Sequence, residues 1–260
     1  MSVTPARVIF DSPGAGAWNM AVDQSLLMSA EQNSTVTLRL YTWAQPTLSL
    51  GYFQKHADRN LHVASAACPI VRRRSGGGAI LHDQELTYSL AIPSSHRWSK
   101  ESSELYDLVH RIVIQLLAED GIESRLFKDT AKQQSNSFAP EPKVNIDPNA
   151  FLCFQRRSDG DLVVDGSKVL GSAQRRLKHS LLQHGSLLFK QSEFTPELPG
   201  LLELSGKHFQ LEVFAQRMSK ALGDALGFEF SPSILTEGEA ALAKELEMAT
   251  FGSLMWTQKR

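Results

Sequence analysis

The chain has 260 residues, 42% hydrophobic and 21% charged, ordinary proportions for a soluble globular protein with a sizeable core. A formal net charge of −1 argues against a general nucleic-acid binder and leaves only local basic patches. No apolar run approaches the roughly 20 residues of a membrane span, "MSVTPARVIFDS" lacks the regions of a signal peptide, and two cysteines, Cys68 and Cys153, cannot make a disulfide framework, so a cytoplasmic protein with free thiols is expected.

"RVIFDS" reads as a first strand, and residues 17–29 follow as a helix with Met20 and Leu27 among its apolar positions. Val36–Trp43 alternates apolar and polar residues, Pro46 interrupts it, and "TLSLGYF" resumes as a strand. "PIVRRR", "AILHD" and "LTYSLAI" read as three short strands separated by turns. Leu105, Val109, Ile112, Val113 and Leu116 make one face of a long helix, which Gly121 ends. Residues 129–150 carry three prolines and little apolar content, the composition of a mobile loop. "AFLCF" is expected to be a strand. "DLVVDGSKVLGSAQ" has a tight hairpin turn at Asp165–Gly166, and "LLQHGSLLF" is a further strand. Two helical segments follow, near 211–226 and 236–248. There is no internal repeat. The expected fold is α+β, with mixed, mainly antiparallel sheets flanked by helices, a main domain over 1–208 and a helical extension over 209–260.

In "RRRSGGGAILHD", Gly76, Gly77 and Gly78 lie between two strands, and no helix or GK[ST] follows. That argues against a P-loop or a Rossmann fingerprint. Two readings stay open. The glycines form a flexible turn, or they lay the backbone flat against a ligand with N–H groups aimed at an anionic or polarised oxygen. Arg72, Arg73 and Arg74 favour the second, because alternate residues on a strand point to opposite faces and at least one must face the ligand.

A second cluster is "VDGSKVLGSAQRRLKHSLLQHGSLLF". Lys168, two residues past the tight turn, is held more rigidly than a surface lysine, and His184-Gly185 follows on the next strand. His184 is either a satisfied core histidine or a catalytic one. Cys68, beside Pro69, reads as a buried structural thiol.

"RRRSGGGAILHDQELTYSL", "GSKVLGSAQRR" and "QHGSLLF", in this order and spacing, resemble the biotin/lipoate protein ligase and octanoyltransferase superfamily from about residue 6 to 190. The resemblance implies a tunnel for a medium-chain acyl group, with Arg73, Gly76, Gly77, Gly78, His82, Gly171, Ser172, His184 and Gly185 along the substrate and no metal site. The superfamily holds two chemistries. Ligases form an acyl-adenylate from ATP and need no cysteine, whereas octanoyltransferases use a cysteine nucleophile. One transferase class carries that cysteine just before the His-Gly pair, where this chain has Leu182. Another carries it in a "CF" dipeptide fifteen residues ahead of the lysine, as Cys153-Phe154 and Lys168 stand here. Trp256, Lys259 and Arg260 also resemble that class. Cys153 would then be the nucleophile and Lys168 its ammonium partner, with no cofactor required; ATP and Mg belong to the ligase chemistry. The implied donor is octanoyl-acyl carrier protein and the implied acceptor a glycine-cleavage H protein or other lipoyl domain, with neither nucleic acid nor membrane as partner. The same motifs would also suit an amidotransferase that moves octanoyl from H protein to other lipoyl domains, or a non-catalytic accessory protein. Arg156 and Arg157 either contact an acidic partner or are solvated loop charges.

Overall fold

The structure, a computed structural model, describes residues 6–127, 147 and 149–260. The loop expected over 129–150 falls largely outside them. In chain order come β1 (Ala6–Phe10), α1 (Gly16–Asn33), β2 (Val36–Tyr41), β3 (Thr47–Leu50), β4 (Ile70–Arg72), β5 (Ile80–His82), β6 (Glu85–Pro93), α2 (Arg97–Lys100), α3 (Ser102–Glu119) and β7 (Arg125–Leu126). Then follow β8 (Leu162–Val164), β9 (Ser167–Arg176), β10 (Ser180–Leu188), α4 (Leu201–Ser205), α5 (Leu211–Leu226), β11 (Ser231–Pro232), α6 (Glu237–Leu246) and α7 (Leu254–Thr257). Among the described residues they build an eight-stranded sheet, ordered β11-β1-β2-β6-β10-β9-β8-β7, and a three-stranded sheet, β4-β3-β5. Only β11-β1, β1-β2 and β3-β4 pair in parallel. The α+β fold with mainly antiparallel sheets is the one the sequence implies.

The two-residue period of the central strands sorts their side chains onto two unlike faces. Val36, Leu38 and Leu40 of β2 and Leu86, Tyr88, Leu90 and Ile92 of β6 enter the main core, against Leu105, Val109 and Val113 of α3 and Phe214, Met218 and Leu222 of α5. Each fully buried aliphatic chain there contributes about 1.5–3 kcal/mol. The alternate residues Thr37, Arg39 and Tyr41, with Thr87 and Ser89, are buried on the opposite face, beneath α1. Arg39, fully buried, donates to Asp11 Oδ2 and to Asp23 Oδ1, both at 2.9 Å. A buried face this polar is costly unless its groups are paired, so it marks where a ligand or reaction needs them.

The turns follow from local chemistry. Asp165 (φ 45°) and Gly166 (φ 74°) both adopt the left-handed region, the type I′ geometry that an Asp-Gly pair suits. α1 runs past the expected residue 29 to Asn33, and Ser34 caps it in the left-handed region. "AFLCF" is not a strand. Leu152 makes a single bridge to Ala79, and Cys153–Gln155 then coil into a 3₁₀ turn closed by Arg156 N–H on Cys153 C=O. Cys153 N–H on Ala79 C=O at 2.7 Å is the last hydrogen bond of that bridge, after which Gln155 N–H and Arg156 N–H turn back to Leu152 C=O and Cys153 C=O.

Beyond residue 208, α5 shares the main core with α3, β11 extends the large sheet beside β1, and Ala243 of α6 packs with α1. α7 lies against β4: Arg72 donates to Thr257 C=O and the Trp256 indole donates to Arg72 C=O. No described helix is long and apolar enough to cross a membrane.

Candidate active site

Between the polar face of the large sheet and the small sheet lies a narrow cavity of about 50 Å³. The large sheet lines it with Tyr41, Thr87, Gly171, His184 and Ser186, the small-sheet side with Arg73, Gly76, Gly77, Ile80 and His82, and α1 with Met20. Cys153 and Phe154 stand on its wall. The lining is mostly apolar surface with a few fixed polar groups, which suits a hydrocarbon chain ending in one reactive polar function.

Cys153 is half-buried and Lys168 almost wholly buried, with Lys168 Nζ donating to Cys153 Sγ at 3.6 Å. Lys168 Nζ also pairs with Asp161 Oδ2 at 2.8 Å, and that carboxylate is itself buried. Asp161 Oδ2 further accepts from Ser158 N–H at 2.7 Å. The ammonium is therefore clamped by a carboxylate on one side and offered to the thiol on the other. Gly171 leaves room for this: a Cβ there would stand 2.4 Å from Lys168 Cε. An ammonium fixed beside a thiol favours its thiolate, the nucleophilic form, and can stabilise an oxyanion on a carbonyl under attack.

The glycine triplet divides its work. Gly76 and Gly77 line the cavity, and Gly77 takes φ 95°. Gly78 is not on the cavity wall but under the Cys153 turn, where a Cβ would meet Cys153 N and Phe151 O at 3.1 Å. The arginines divide likewise. Arg72 is spent on backbone carbonyls, and Arg74 stacks over Trp256 at 5.1 Å. Arg73 faces the cavity, but its guanidinium already donates to Gly76 C=O, Gly78 C=O and Ser49 C=O. It sets the shape of the glycine loop; burial pushes it down to about 10, so it stays cationic at neutral pH.

His82 and His184 line the cavity and buried His110 lies behind it, bonded to the lining residue Ser172; each is held between a serine hydroxyl and an acceptor. His82 meets Ser49 Oγ at 2.8 Å and Glu85 Oε1 at 2.7 Å, and stacks on Trp43 at 3.8 Å. Burial lowers its pKa despite that carboxylate. His184 meets Ser75 Oγ at 2.7 Å and faces Asp23 at 3.6 Å, so it braces the glycine loop against α1. Burial raises the Asp23 pKa, but the hydrogen bond from His184 and the Arg39 charge outweigh it and hold the carboxyl below its ordinary range. His110 of α3 meets Gly160 C=O at 2.6 Å and Ser172 Oγ at 2.7 Å. Ser172 Oγ also meets Tyr88 OH at 2.7 Å and occupies the space a Gly185 side chain would need: a Cβ there would lie 2.2 Å from it. Gly185 thus makes room for Ser172 to reach the cavity wall.

Asp161, Asp23 and His110 were not evident from the sequence. His110 had a visible sign, a histidine next to Val109 inside the apolar stripe of α3. Arg156 and Arg157, expected to be partner contacts or solvated charges, instead hold backbone: Arg156 Nε donates to Ala150 C=O, and Arg157 donates to Phe154 C=O and Gly166 C=O, tying the cysteine turn to the hairpin that carries Lys168. Cys68 is buried, and burial pushes its thiol up, as suits an inert residue.

Burial pushes His110 down to about 4, against about 6.5 in an unfolded chain. The unfolded chain therefore takes up a proton first as pH falls. His110 contributes its full share of stability above about pH 6.5 and loses it progressively towards pH 4, by roughly 3 kcal/mol over that span. Urea unfolding of His110→Asn should show a shallower loss between pH 6.5 and 4 than the parent chain; equal slopes would refute this.

The model of the lipoyl protein ligase A/B catalytic domain matches residues 15–220. An octanoyltransferase LipM of Brevibacillus brevis is 31% identical, covering 98% of this chain and 99% of the relative. One of Staphylococcus aureus is 33% identical over 88% of this chain and 90% of its own. Among solved structures, a bipartite lipoate protein ligase from Thermoplasma acidophilum superposes with a TM-score of 0.71 at 17% identity, covering 98% of this chain and 96% of that one. A lipoate-protein ligase A bound with ATP gives 0.71 at 18% identity, covering 98% of both chains. At such identities the structures speak for the fold.

Proposed function

We propose that this chain, which belongs to the lipoyl protein ligase A/B catalytic-domain family, is a protein octanoyltransferase working through a Cys153 thioester. The observation that carries the reading is the Cys153–Lys168 pair at the wall of the mostly apolar cavity. With octanoyl-acyl carrier protein as donor, the Cys153 thiolate attacks the thioester carbonyl, the carrier thiolate leaves, and it takes up the proton that Cys153 gave up. The acceptor, a lysine amine of a glycine-cleavage H protein or similar lipoyl domain, then attacks the acyl-enzyme. The amine loses a proton as the amide forms, and Cys153 departs as its thiol. Lys168 supports the charge that gathers on the carbonyl oxygen in both halves. Exchange between thioesters is nearly isoenergetic and amide formation is downhill, so neither half requires ATP. Free thiols at Cys68 and Cys153 suit a reducing cytoplasm.

The choice of donor tests this. Octanoyl-carrier protein without ATP should add one octanoyl group to the enzyme, seen by intact mass, and then octanoylate an H protein. Faster modification of the H protein from free octanoate with Mg-ATP would overturn the transferase reading in favour of a ligase.

A further inference from the structure

A thioester has two arms leaving one carbonyl, and the two neighbours of Cys153, Phe154 next in the chain and Lys168 at 3.6 Å, both line a second space that Cys153 itself does not. The first space is the acyl cavity. The other is an open groove of about 590 Å³ that shares Phe154 with the cavity and has Lys168 on its wall. With the acyl arm in the cavity and the carbonyl beside Lys168, the groove beyond Phe154 is the space into which the donor's other arm can run. We propose that this groove binds the amide-bearing pantetheine arm of the carrier thioester, an inference that rests on the transferase reading.

The walls match that arm's chemistry, which alternates two amides with short alkyl stretches and a dimethyl-bearing carbon. Gln155 brings a side-chain amide and Ser167 a hydroxyl, while Leu61 and Leu198 add apolar surface. Leu61 is 72% exposed, an apolar side chain left in water where the dimethyl carbon would cover it. The groove is also held open in advance. Glu197 Oε1 accepts from His62 Nε2 at 2.9 Å and from Gln155 Nε2 at 3.2 Å, tying the segment after β3, the cysteine turn and the loop after β10 together. A preformed groove loses less freedom when an extended, flexible arm settles in it. The same mouth serves the acceptor amine once the donor thiol has gone, so donor arm and acceptor compete for free space in the groove.

Cys153 acylation rates should be compared for S-octanoyl pantetheine and for S-octanoyl ethanethiol, which lacks the amides. Two hydrogen bonds at about 1 kcal/mol each predict a preference for pantetheine of about tenfold to a few tens. Gln155→Leu and Leu61→Ser should each shrink that preference at least threefold. Taking the ratio within each variant separates lost arm contacts from any displacement of Cys153. A wild-type ratio near one, or a ratio unchanged in both variants, would overturn the groove assignment while leaving the transferase reading intact. No adduct from either donor, nor from the carrier protein, would overturn the transferase reading and this inference with it.

Discussion

Cys153→Ala is expected to abolish octanoyl transfer, lowering the rate on the order of 10⁴-fold or more, because no other group takes over covalent catalysis when a nucleophile is removed. Lys168 Nζ donates to the Cys153 thiol at 3.6 Å, and Cys153 stands on the wall of a mostly apolar cavity. With octanoyl-carrier protein, the parent chain should gain a hydroxylamine-sensitive adduct on the peptide containing Cys153. Cys68→Ala should keep it, since that thiol is buried and lies outside the cavity lining. An adduct that persists in Cys153→Ala would end the assignment. Cys153→Ser sharpens the test: a hydroxyl beside the same ammonium is a far weaker nucleophile and should not restore turnover.

Lys168→Ala should slow acyl-enzyme formation about 10²–10³-fold, the usual effect of deleting one preorganised electrostatic contact to a developing oxyanion. It should also slow iodoacetamide alkylation of Cys153 at fixed neutral pH, because the ammonium no longer favours charge on sulfur. The substitution has a second effect that must be separated from the first. It leaves the buried Asp161 carboxylate without its partner, and breaking a buried pair from one side costs about 3–5 kcal/mol of stability. The double variant Lys168→Met, Asp161→Asn removes both charges and should recover most of that stability while remaining slow. Lys168→Arg should rescue poorly, since a planar guanidinium cannot follow the path past Gly171 that fits a narrow ammonium stem. Recovery of rate in the double variant would remove Lys168 from the chemistry.

Where side-chain alternation is strong the strands were legible. "LTYSLAI" reads directly as β6 because its two faces meet two different environments, and "DG" fixes the hairpin because both turn residues take positive φ. The cysteine turn was not legible. Phe151, Leu152 and Phe154 are as apolar as a strand, yet pairing with Ala79 is limited to one bridge and local bonds back to Leu152 and Cys153 coil the chain there. The pair Cys153 and Lys168 was legible only through the family resemblance, in which a "CF" dipeptide stands fifteen residues ahead of a lysine. Asp161 was not legible, since an acidic residue in "SDGDL" looks like turn chemistry until the fold turns it inward. Asp23 was hidden for a different reason. α1 is buried on most sides, so it has no polar stripe against which a single functional carboxylate would stand out.

Arg72 has a consequence in time. It lies at the root of the glycine loop and is fully buried, yet two of its donors end on the carbonyl of Thr257, and the Trp256 indole grips its own carbonyl in return. The residues that anchor the loop are thus separated from it by some 185 positions. On a ribosome adding about 5–20 residues per second, the loop strand is made early and waits about ten seconds or longer for its anchor. During that interval Arg72 Nη1 can already reach the carbonyls of Gly51 and Gln54, while Nε and Nη2 wait for Thr257. The strand that leads into the glycine loop therefore gains its last hydrogen bonds only once residues 256 and 257 have been made.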